Sequence, residues 1–414
     1  MRATVCVLTA THLSACPRML KAADAFAEAG YEVRVVSARH TAWATAADAE
    51  VRRSRTRAWR WRVIDYRRRS ARRVITGTRS RAARALARSI GPARCAVPLA
   101  ARAFSRAHSE LVAAAAAEPA DLYYGGTAAG LAATAEAARR RAAPYALDLE
   151  DFHSQEQEDG ASGRLDNALA ARLESGLLPG AAFLTAASQA IADEYRRRYR
   201  VAPVPIHNTF PLPARPPDVS PSAGGGLTLY WFSQTIGPGR GLEDVVRAMG
   251  LGAIAGELHL RGGADRAYVA RLERLARETA PRLQIALHEP DAPDRMIERS
   301  RGYDIGLALE QGQVLNRALC LTNKALTYVL AGLALVMSDT PGQRPLADDV
   351  GDVLLYAPGD APTLAQGLAR WAHDRGALAR AKAAAWRAAC RRWHWEHPAE
   401  RGALLDAVAR ALGR

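Results

Sequence analysis

The first forty residues contain a strand–loop–helix–strand unit. Residues 4–9 form a short run rich in β-branched residues, and residues 19–29 follow with a helical pattern that Gly30 ends. Residues 32–37 (EVRVVS) form a second run of the strand type. Two strands joined through a helix in this way are typical of a parallel sheet. The unit therefore predicts an α/β fold.

The same alternation recurs along the chain and is interrupted once. Seven prolines between residues 203 and 221 lead into three consecutive glycines at 224–226, a segment that cannot be a helix or a central strand. Strand and helix patterns then restart at residue 227. The chain has 414 residues, which exceeds the size at which one core keeps growing.

The sequence thus predicts two Rossmann-type domains, residues 1–212 and residues 213–392, with their sheets facing each other. The last helix, in about 393–414, is expected to pack back on the first domain, and the nearby tryptophans are expected to anchor it.

The basic residues are unevenly distributed. The formal net charge is +15, and between Arg52 and Arg106 the chain has many arginines and a single acid, Asp65. Such a block favours an anionic partner: a membrane surface, a nucleic acid or a phosphorylated substrate. The alternative interpretation is that the arginines form a solvated face of the protein. Trp59 and Trp61 interleave with arginines, a pattern that favours an anionic membrane interface.

The cysteines and the apolar runs indicate the compartment. Five cysteines are scattered without any CxxC spacing, which argues against a disulfide framework or a zinc site and for a reducing environment. The longest apolar run, residues 325–337, is too short to span a bilayer. We therefore expect a cytoplasmic protein that can rest peripherally at the inner face of the cell membrane.

The most informative segment for chemistry is the beginning of a predicted helix at Thr322-Asn323-Lys324. Thr322 is a suitable N-cap and Gly332 a suitable C-terminal stop. Unpaired amides and the positive end of the helix dipole suit a diphosphate, and Lys324 adds a full charge in the first turn. The alternative is that Lys324 is a solvated surface residue.

A second feature of this segment is Glu310, at the end of a predicted strand over residues 305–309 and just before a loop that contains Gly312. A carboxylate at the carboxyl end of a parallel strand can accept hydrogen bonds from sugar hydroxyls. An unrelated surface glutamate is the alternative interpretation.

These residues lie in a longer stretch, YDIGLALE…TNKALTYVLAGLALVMSDTPGQ, that resembles the donor-binding region of retaining GT-B glycosyltransferases, in particular glycosyltransferase family four. Earlier segments follow the order of that family: a Pro-Arg first loop, LDLEDFHSQE, TAASQAIADEY, PIHNTF and YWFSQTIGPGRGLEDVVRAM. The resemblance covers nearly the whole chain. It implies two Rossmann-like domains facing across a cleft, with the nucleotide-sugar donor held by residues 213–392 and the acceptor by residues 1–212.

The resemblance also implies roles for individual residues. In the second domain it implies contacts to the donor diphosphate from Arg240, Lys324, Asn323 and Thr322. It implies contacts to the donor sugar or nucleotide from Glu310, Gly312, Thr327 and Gly239. In the first domain it implies that His153 faces the reaction centre as a catalytic residue beside Glu310, and that the acceptor or cleft residues are Arg18, Asp151 and Asn208.

The chain departs from the family pattern at several positions. The second glutamate of the family, eight residues after the first, is replaced by Ala318, or by Thr327 if the loop is longer. The usual Gly-Arg after the first strand of the second domain is Ser233-Gln234, and residues 12–17 (HLSACP) replace a glycine-rich loop.

The expected activity is that of a hexosyltransferase-like glycosyltransferase acting on a glycan or lipid-linked acceptor of cell-surface polysaccharide or glycoconjugate synthesis. No Asp-x-Asp motif stands out in a suitable loop, so no metal or cofactor is expected, and Arg240, Lys324 and helix amides would stabilise the leaving diphosphate. Retention is implied by the resemblance alone.

Three alternatives remain open. A catalytically silent GT-B protein that binds nucleotide sugars or acts as a scaffold is consistent with the missing glutamate. A basic nucleic-acid-binding protein is consistent with the arginine block, although no nucleic-acid module is recognisable and no nucleic-acid partner is expected. A sugar-nucleotide epimerase fits the segment order less well.

Overall fold

The computed structural model describes residues 2–40, 45–55, 59–66, 71–158 and 160–413. Parts of the arginine-rich segment 52–106, namely residues 56–58 and 67–70, lie outside the described residues. The chain forms two compact units. The first unit contains Met1–His207, Val314–Asn316 and Pro398–Arg414, and the second contains Asn208–Gln313 and Arg317–His397. The division falls between residues 207 and 208, where the sequence analysis placed it between 212 and 213.

Seven parallel strands form the sheet of the first unit, in the order β3-β2-β1-β4-β5-β6-β7. The strands are β1 (Thr4–Thr9), β2 (Glu32–Arg39), β3 (Arg60–Asp65), β4 (Leu122–Gly126), β5 (Tyr145–Leu149), β6 (Phe183–Ala186) and β7 (Val204–Pro205). In the central strand β1, residues 5–9 are all fully buried. A strand that is buried on both faces reads as a continuous apolar run, as this one does.

Eight helices accompany this sheet among the described residues of the first 207. They are α1 (Pro17–Glu28), α2 (Thr45–Ser54), α3 (Ala71–Ile90), α4 (Val97–Phe104), α5 (His108–Ala115), α6 (Ala128–Arg140), α7 (Ala161–Leu177) and α8 (Gln189–Tyr199). None of the described helices of the chain is both long enough and apolar enough to cross a bilayer.

The second unit contains a six-stranded parallel sheet in the order β10-β9-β8-β11-β12-β13. The strands are β8 (Leu227–Ile236), β9 (Gly256–Ala264), β10 (Leu283–His288), β11 (Ile305–Ala308), β12 (Ala334–Ser338) and β13 (Val353–Tyr356). The chain order reverses between β8 and β11, which makes this the switch point of the sheet. Ligands of open α/β sheets bind outside the carboxyl ends of the strands at such a point.

The helices of this part of the chain are α9 (Leu242–Leu251), α10 (Arg266–Thr279), α11 (Met296–Ser300), α12 (Leu315–Leu319), α13 (Asn323–Ala331), α14 (Arg344–Val350), α15 (Ala361–His373) and α16 (Arg375–Arg391). Helix α13 begins and ends as the sequence predicts. The Thr322 hydroxyl accepts a hydrogen bond from the Ala325 amide at 3.3 Å, and Gly332 ends the helix with a φ of 69°. Both terminal assignments are therefore confirmed.

Helix α13 packs closely on β11 because of one glycine. A Cβ atom on Gly306 would lie 2.2 Å from Cγ of Tyr328, a residue of α13. Any side chain at position 306 would push the helix away from the strand. The glycine therefore fixes the distance between this helix and the end of β11.

The final helix, α17 (Ala403–Ala411), belongs to the first unit. Just before it, the buried Glu400 carboxylate accepts hydrogen bonds from the backbone amide of His207 at 2.6 Å and lies 2.8 Å from His207 Nδ1. Arg401 pairs with Glu28 at 2.7 Å. The expectation that tryptophans anchor this helix is wrong for Trp393, which packs in the core of the second unit and donates its indole N–H to Asp349.

Candidate functional site

Glu310 and Lys324 meet at the switch point of the second sheet. Glu310 follows β11 and is buried, and its backbone amide donates to the Ser338 hydroxyl at 2.7 Å. The Lys324 ammonium lies 3.3 Å from Glu310 Oε1 and 5.8 Å from the centre of the Trp231 ring. A partly buried ion pair of this kind presents one acidic and one basic group side by side. The structure thus brings together the residues expected to hold the donor sugar and its diphosphate.

The beginning of α13 adds backbone donors to this pair. The first amides of an α-helix have no acceptor within the helix, and the helix dipole places partial positive charge there. Asn323 is exposed in this first turn, and Thr322 uses its hydroxyl as the cap. This end of the helix can therefore receive an anion beside Lys324.

The glycine-rich turn after β8 packs against the loop that carries Glu310. Gly239 and Gly241 have φ values of 70° and 72°, which side chains other than glycine rarely adopt. A Cβ atom on Gly241 would lie 2.4 Å from Gln311 Nε2 and 3.0 Å from Leu309 Cβ. The two loops are therefore in direct contact, and both Arg240 and Glu310 lie at the carboxyl end of the sheet.

Arg240 itself is partly exposed and makes no hydrogen bond or ion pair with another described residue. The turn is held instead by Arg317, whose guanidinium donates to the Gly239 carbonyl at 3.2 Å. Gly312, in the following loop, also has a positive φ, of 63°. The guanidinium of Arg240 is therefore available for an anion.

The sequence analysis missed two buried polar residues after β12. Gln343 donates from Nε2 to the carbonyls of Ala308 and Ser338, both at 3.1 Å, and so lies between the ends of β11 and β12. Its Oε1 atom, and the hydroxyl of Thr340, are buried and have no hydrogen-bond partner among the described residues. Each buried polar atom without a partner costs about 1–3 kcal/mol, so such atoms call for a ligand or an ordered water.

Thr327 also carries a buried hydroxyl without a partner among the residues described. It lies inside α13 and is fully buried. If Thr327 takes the place of the second carboxylate of the family pattern, that place holds a small polar group within the core of this unit.

His153 lies in a short turn, His153–Gln155, after β5 in the first unit. Its Nδ1 atom lies 3.1 Å from Glu156 Oε2, and its Nε2 atom is buried without a partner among the described residues. Burial lowers the pKa of His153, but the hydrogen bond and charge of Glu156, with Asp151, outweigh burial and raise it to about 9. The imidazole therefore carries a positive charge at neutral pH.

Asp151 and Asn316, both in the first unit, orient each other. The Asn316 side chain donates to Asp151 Oδ1 at 2.8 Å and accepts from the Phe152 amide at 2.7 Å. Next to them, burial and the Asp151 charge raise the pKa of Glu150 to about 7, although Arg18 opposes this change. The segment after β5 thus combines a charged imidazole with a carboxyl group that titrates near neutral pH.

Asp151, His153 and Glu156 each offer an atom within 4.8 Å of the others, a spacing that could hold a metal ion. A histidine must be neutral to bind a metal, and the raised pKa of His153 favours the protonated form. Without an ion, His153 and Glu156 form an imidazolium–carboxylate pair in this cluster, and metal binding would have to displace the His153 proton.

Arg18 has a different environment from the one expected. Its guanidinium is buried and donates to both oxygens of Asp148, at 2.7 and 2.5 Å, and to the Ile206 carbonyl at 2.5 Å. These contacts tie the end of β5 to the segment after β7. Arg18 is thus committed to protein groups, which does not support the expected contact with phosphate or acceptor. Asn208, in the second unit, is buried and leaves its Oδ1 atom without a partner among the described residues.

Comparison with known proteins shows similarity of structure only. No family model and no curated protein matches the sequence. A structure of Alr3699/HepE from Anabaena with UDP is 15% identical, with a TM-score of 0.62, over 100% of both chains. A glycosyltransferase from Rickettsia africae is 11% identical, with a TM-score of 0.64, over 99% of each chain.

Sucrose-phosphate synthase from Thermosynechococcus elongatus is 14% identical, with a TM-score of 0.63, over 100% of this chain and 99% of the other. These matches cover both units and agree with two parallel sheets of seven and six strands. The chain therefore has the α/β fold of the GT-B glycosyltransferases.

Proposed function

We propose that the protein is a glycosyltransferase that takes a sugar from a nucleoside-diphosphate donor. The observation that carries the proposal is the Glu310–Lys324 pair at the beginning of α13, with the Arg240 turn packed against the Glu310 loop. Structural neighbours hold UDP, UDP with glucose, or UDP-glucose. UDP-sugars are therefore the first donors to test.

The donor diphosphate would lie on the first turn of α13, with Lys324 and Arg240 on its oxygens. These cations and amides would stabilise the charge that develops on the leaving diphosphate, without a metal ion. Glu310 would accept hydrogen bonds from sugar hydroxyls, and Gln343 Oε1 and the Thr340 hydroxyl would gain partners. Binding would therefore replace the internal Lys324–Glu310 contact by two contacts to one ligand.

The acceptor would bind to the first unit, near the segment after β5. A sugar hydroxyl there would meet Asp151, Glu150 and the charged His153. The imidazolium can orient it by donating a hydrogen bond, and an ionised carboxylate can accept its proton. The sequence pattern supports retention of configuration and a glycan or lipid-linked acceptor of cell-surface polysaccharide synthesis. It also supports a location at the inner face of the cell membrane.

A silent donor-binding protein is the second candidate. It is favoured by one observation: Ala318, or Thr327 if the loop is longer, stands where the family pattern has a second carboxylate. Such a protein would bind the nucleotide sugar without releasing nucleoside diphosphate. Binding and turnover must therefore be measured separately.

The first experiment is a thermal-shift panel with UDP-, GDP-, dTDP- and ADP-sugars. A ligand at 100 times its Kd stabilises the native state by about 2.7 kcal/mol, which raises the melting temperature measurably. We expect a shift with one nucleotide class, which Lys324→Ala and Arg240→Ala reduce. Arg247→Ala is the matched control, since Arg247 is an exposed arginine of the same unit. Absence of any shift would overturn the donor site.

Release of nucleoside diphosphate then separates the two candidates. An enzyme releases it slowly with water and faster with a suitable acceptor, and His153→Ala lowers that rate while donor binding remains. Donor binding without release, across a panel of glycan and lipid-linked acceptors, would favour the silent protein.

A further inference from the structure

Helix α3 of the first unit exposes large apolar side chains to solvent. Val74, Ile75, Leu86 and Ile90 are 66%, 61%, 51% and 45% exposed. They make up four of the seven most exposed large apolar residues in the described part of the chain. Single exposed apolar residues are ordinary, but four on one helix mark an interaction surface.

Another side of α3 is firmly attached to the first unit. Ala83 and Ala87 are buried, four residues apart and so on one side of the helix. Arg79 pairs with Glu110 at 2.7 Å, and Arg84 pairs with Asp166 at 2.6 Å. The helix is therefore held in one orientation, and its exposed side is fixed.

The exposed side carries only positive charge. Arg81 and Arg88 are exposed, and they lie on one side of the helix because they are seven residues apart. Neither forms an ion pair with another described residue. Helix α3 contains no aspartate or glutamate, and the sequence places three more arginines at 67–69, outside the described residues.

The tryptophans of this segment are engaged elsewhere. Trp59 is buried and donates its indole N–H to Asp24 at 2.9 Å, and Trp61 donates to the Ser37 hydroxyl at 2.9 Å. The expectation that these two residues form the apolar part of a membrane interface is therefore not supported. The exposed apolar area lies on α3 instead.

We propose that the exposed face of α3 binds an anionic lipid surface. A fixed helix whose solvent-facing surface holds exposed apolar residues and arginines, and no acid, matches the chemistry of a bilayer interface, where acyl chains take the apolar residues and headgroup phosphates take the arginines. A nucleic acid would use the arginines but would leave Val74, Ile75 and Leu86 without a partner, and α3 offers no aromatic side chain for stacking.

The role of this lipid contact, which is to hold the enzyme at a lipid-linked acceptor, rests on the proposed function. The lipid contact itself needs no nucleotide sugar. Vesicle binding and donor binding can therefore be measured apart, so that failure of one leaves the other standing.

The test is flotation of the full chain with vesicles of phosphatidylcholine, with and without phosphatidylglycerol. We expect binding only with the anionic lipid. Arg81→Gln with Arg88→Gln should lower the affinity about 30-fold, at the usual contribution of a basic residue near the surface. Ile75→Gln with Leu86→Gln should lower it at least about tenfold, because burial of apolar side chains contributes to interfacial binding.

Two matched variants in the second unit serve as controls. Leu251→Gln with Leu287→Gln removes two apolar side chains that are 64% and 46% exposed, and Arg274→Gln with Arg277→Gln removes two exposed arginines of α10. Both should bind vesicles like the wild type. All four double variants should keep the thermal shift with the donor, which shows that they are folded.

Three outcomes would overturn the inference. The first is equal vesicle binding by the α3 variants and the controls, and the second is no vesicle binding by the wild type. The third is salt-sensitive binding to an oligonucleotide that the Arg81/Arg88 variant loses and the Ile75/Leu86 variant keeps, without vesicle binding. That result would assign the surface to nucleic acid.

Discussion

Polar residues at the carboxyl ends of the two sheets differ in whether they have hydrogen-bond partners within the protein. In the first unit, Arg18 and Asp148 satisfy each other in a bidentate, buried pair. In the second unit, Arg240 has no described partner, and Thr340 and Gln343 retain buried atoms without one. Asp148 lies near the carboxyl end of β5, and Thr340 and Gln343 follow the carboxyl end of β12, so position in the fold does not distinguish the two groups.

The difference lies in whether the protein itself satisfies the polar groups. A buried charge that has all its hydrogen bonds within the chain stabilises the fold and offers little to a ligand. A site that binds a ligand keeps some donors and acceptors unsatisfied, at a cost in stability, or holds them in a contact that the ligand can replace, as between Lys324 and Glu310. The comparison predicts that substitutions in the first group strongly lower stability and hardly change ligand affinity. Substitutions in the second group should lower ligand affinity and hardly change stability.

The largest effect is expected for Arg18→Met. Removal of one partner from a buried ion pair leaves Asp148 uncompensated, which should lower the free energy of unfolding by about 3–5 kcal/mol. Urea unfolding measures the loss. The exposed pair of Arg53 and Glu50 is the control, since Arg53→Met should change stability by less than about 1 kcal/mol.

The double variant Arg18→Met with Asp148→Leu tests the explanation. It contains no unpaired charge, so it should recover part of the stability lost in Arg18→Met. If Arg18→Met instead left stability unchanged and weakened donor or acceptor binding, Arg18 would be a ligand residue and the comparison would fail.

The next effect is a pH dependence of stability through His153. Its pKa is raised from 6.5 to about 9 in the folded protein, so the stabilisation is complete below pH 6.5 and is lost as the pH rises through about 9. A pKa difference of one corresponds to about 1.4 kcal/mol, so the difference between 6.5 and about 9 gives an upper bound of about 3.5 kcal/mol. Glu150 acts in the same direction, because its pKa is raised to about 7.

Unfolding experiments between about pH 6 and pH 9.5 measure this slope. The His153→Gln variant should show a much flatter profile than the wild type. Glu156→Gln removes the main cause of the raised pKa and should flatten it as well. A wild-type stability that is constant over this range would show that His153 is not charged in the folded protein.

The sequence predicted the fold well because local patterns determine it. Alternating strand and helix patterns gave the two α/β sheets, and local chemistry at Thr322 and Gly332 gave the ends of α13. These features depend on neighbours a few residues away, which a sequence displays directly.

The state of the site residues could not be predicted in the same way. The sequence suggested a phosphate-binding role for Arg18, which follows a proline, but the structure places it at the beginning of α1 with Asp148, 130 residues further along the chain, as its partner. The unsatisfied atoms of Thr340 and Gln343 likewise follow from how β11 and β12 end side by side. Whether a polar group has a hydrogen-bond partner depends on how the whole chain packs. In the sequence, Thr340 and Gln343 could be recognised only as part of the TPGQ segment of the family resemblance.

Donor binding should depend strongly on Lys324. A hydrogen bond to a charged group contributes about 1.5–3 kcal/mol, so Lys324→Met should raise the Kd for the donor about 10- to 100-fold. Isothermal titration calorimetry measures it. Because Lys324→Met also leaves Glu310 unpaired, the double variant with Glu310→Gln should restore the melting temperature but not the affinity. If the double variant regained both the melting temperature and the donor affinity, the Lys324–Glu310 pair would serve only to stabilise the fold.

The smallest effect, and the sharpest test of the comparison, is Thr340→Val. The change keeps the shape of the side chain and removes a buried hydroxyl that lacks a partner among the described residues. The protein without ligand should be as stable as the wild type or more stable by up to about 1 kcal/mol, because no internal hydrogen bond is lost. Affinity for the donor should fall about fivefold, since a single neutral hydrogen bond contributes about 1 kcal/mol.

Thr209→Val is the matched control, because the Thr209 hydroxyl donates to the Trp393 carbonyl at 2.8 Å, so this variant should lose stability and keep donor affinity. If Thr340→Val destabilised the free protein as much as Thr209→Val does, the Thr340 hydroxyl would already be satisfied, and unsatisfied groups would not mark the donor site.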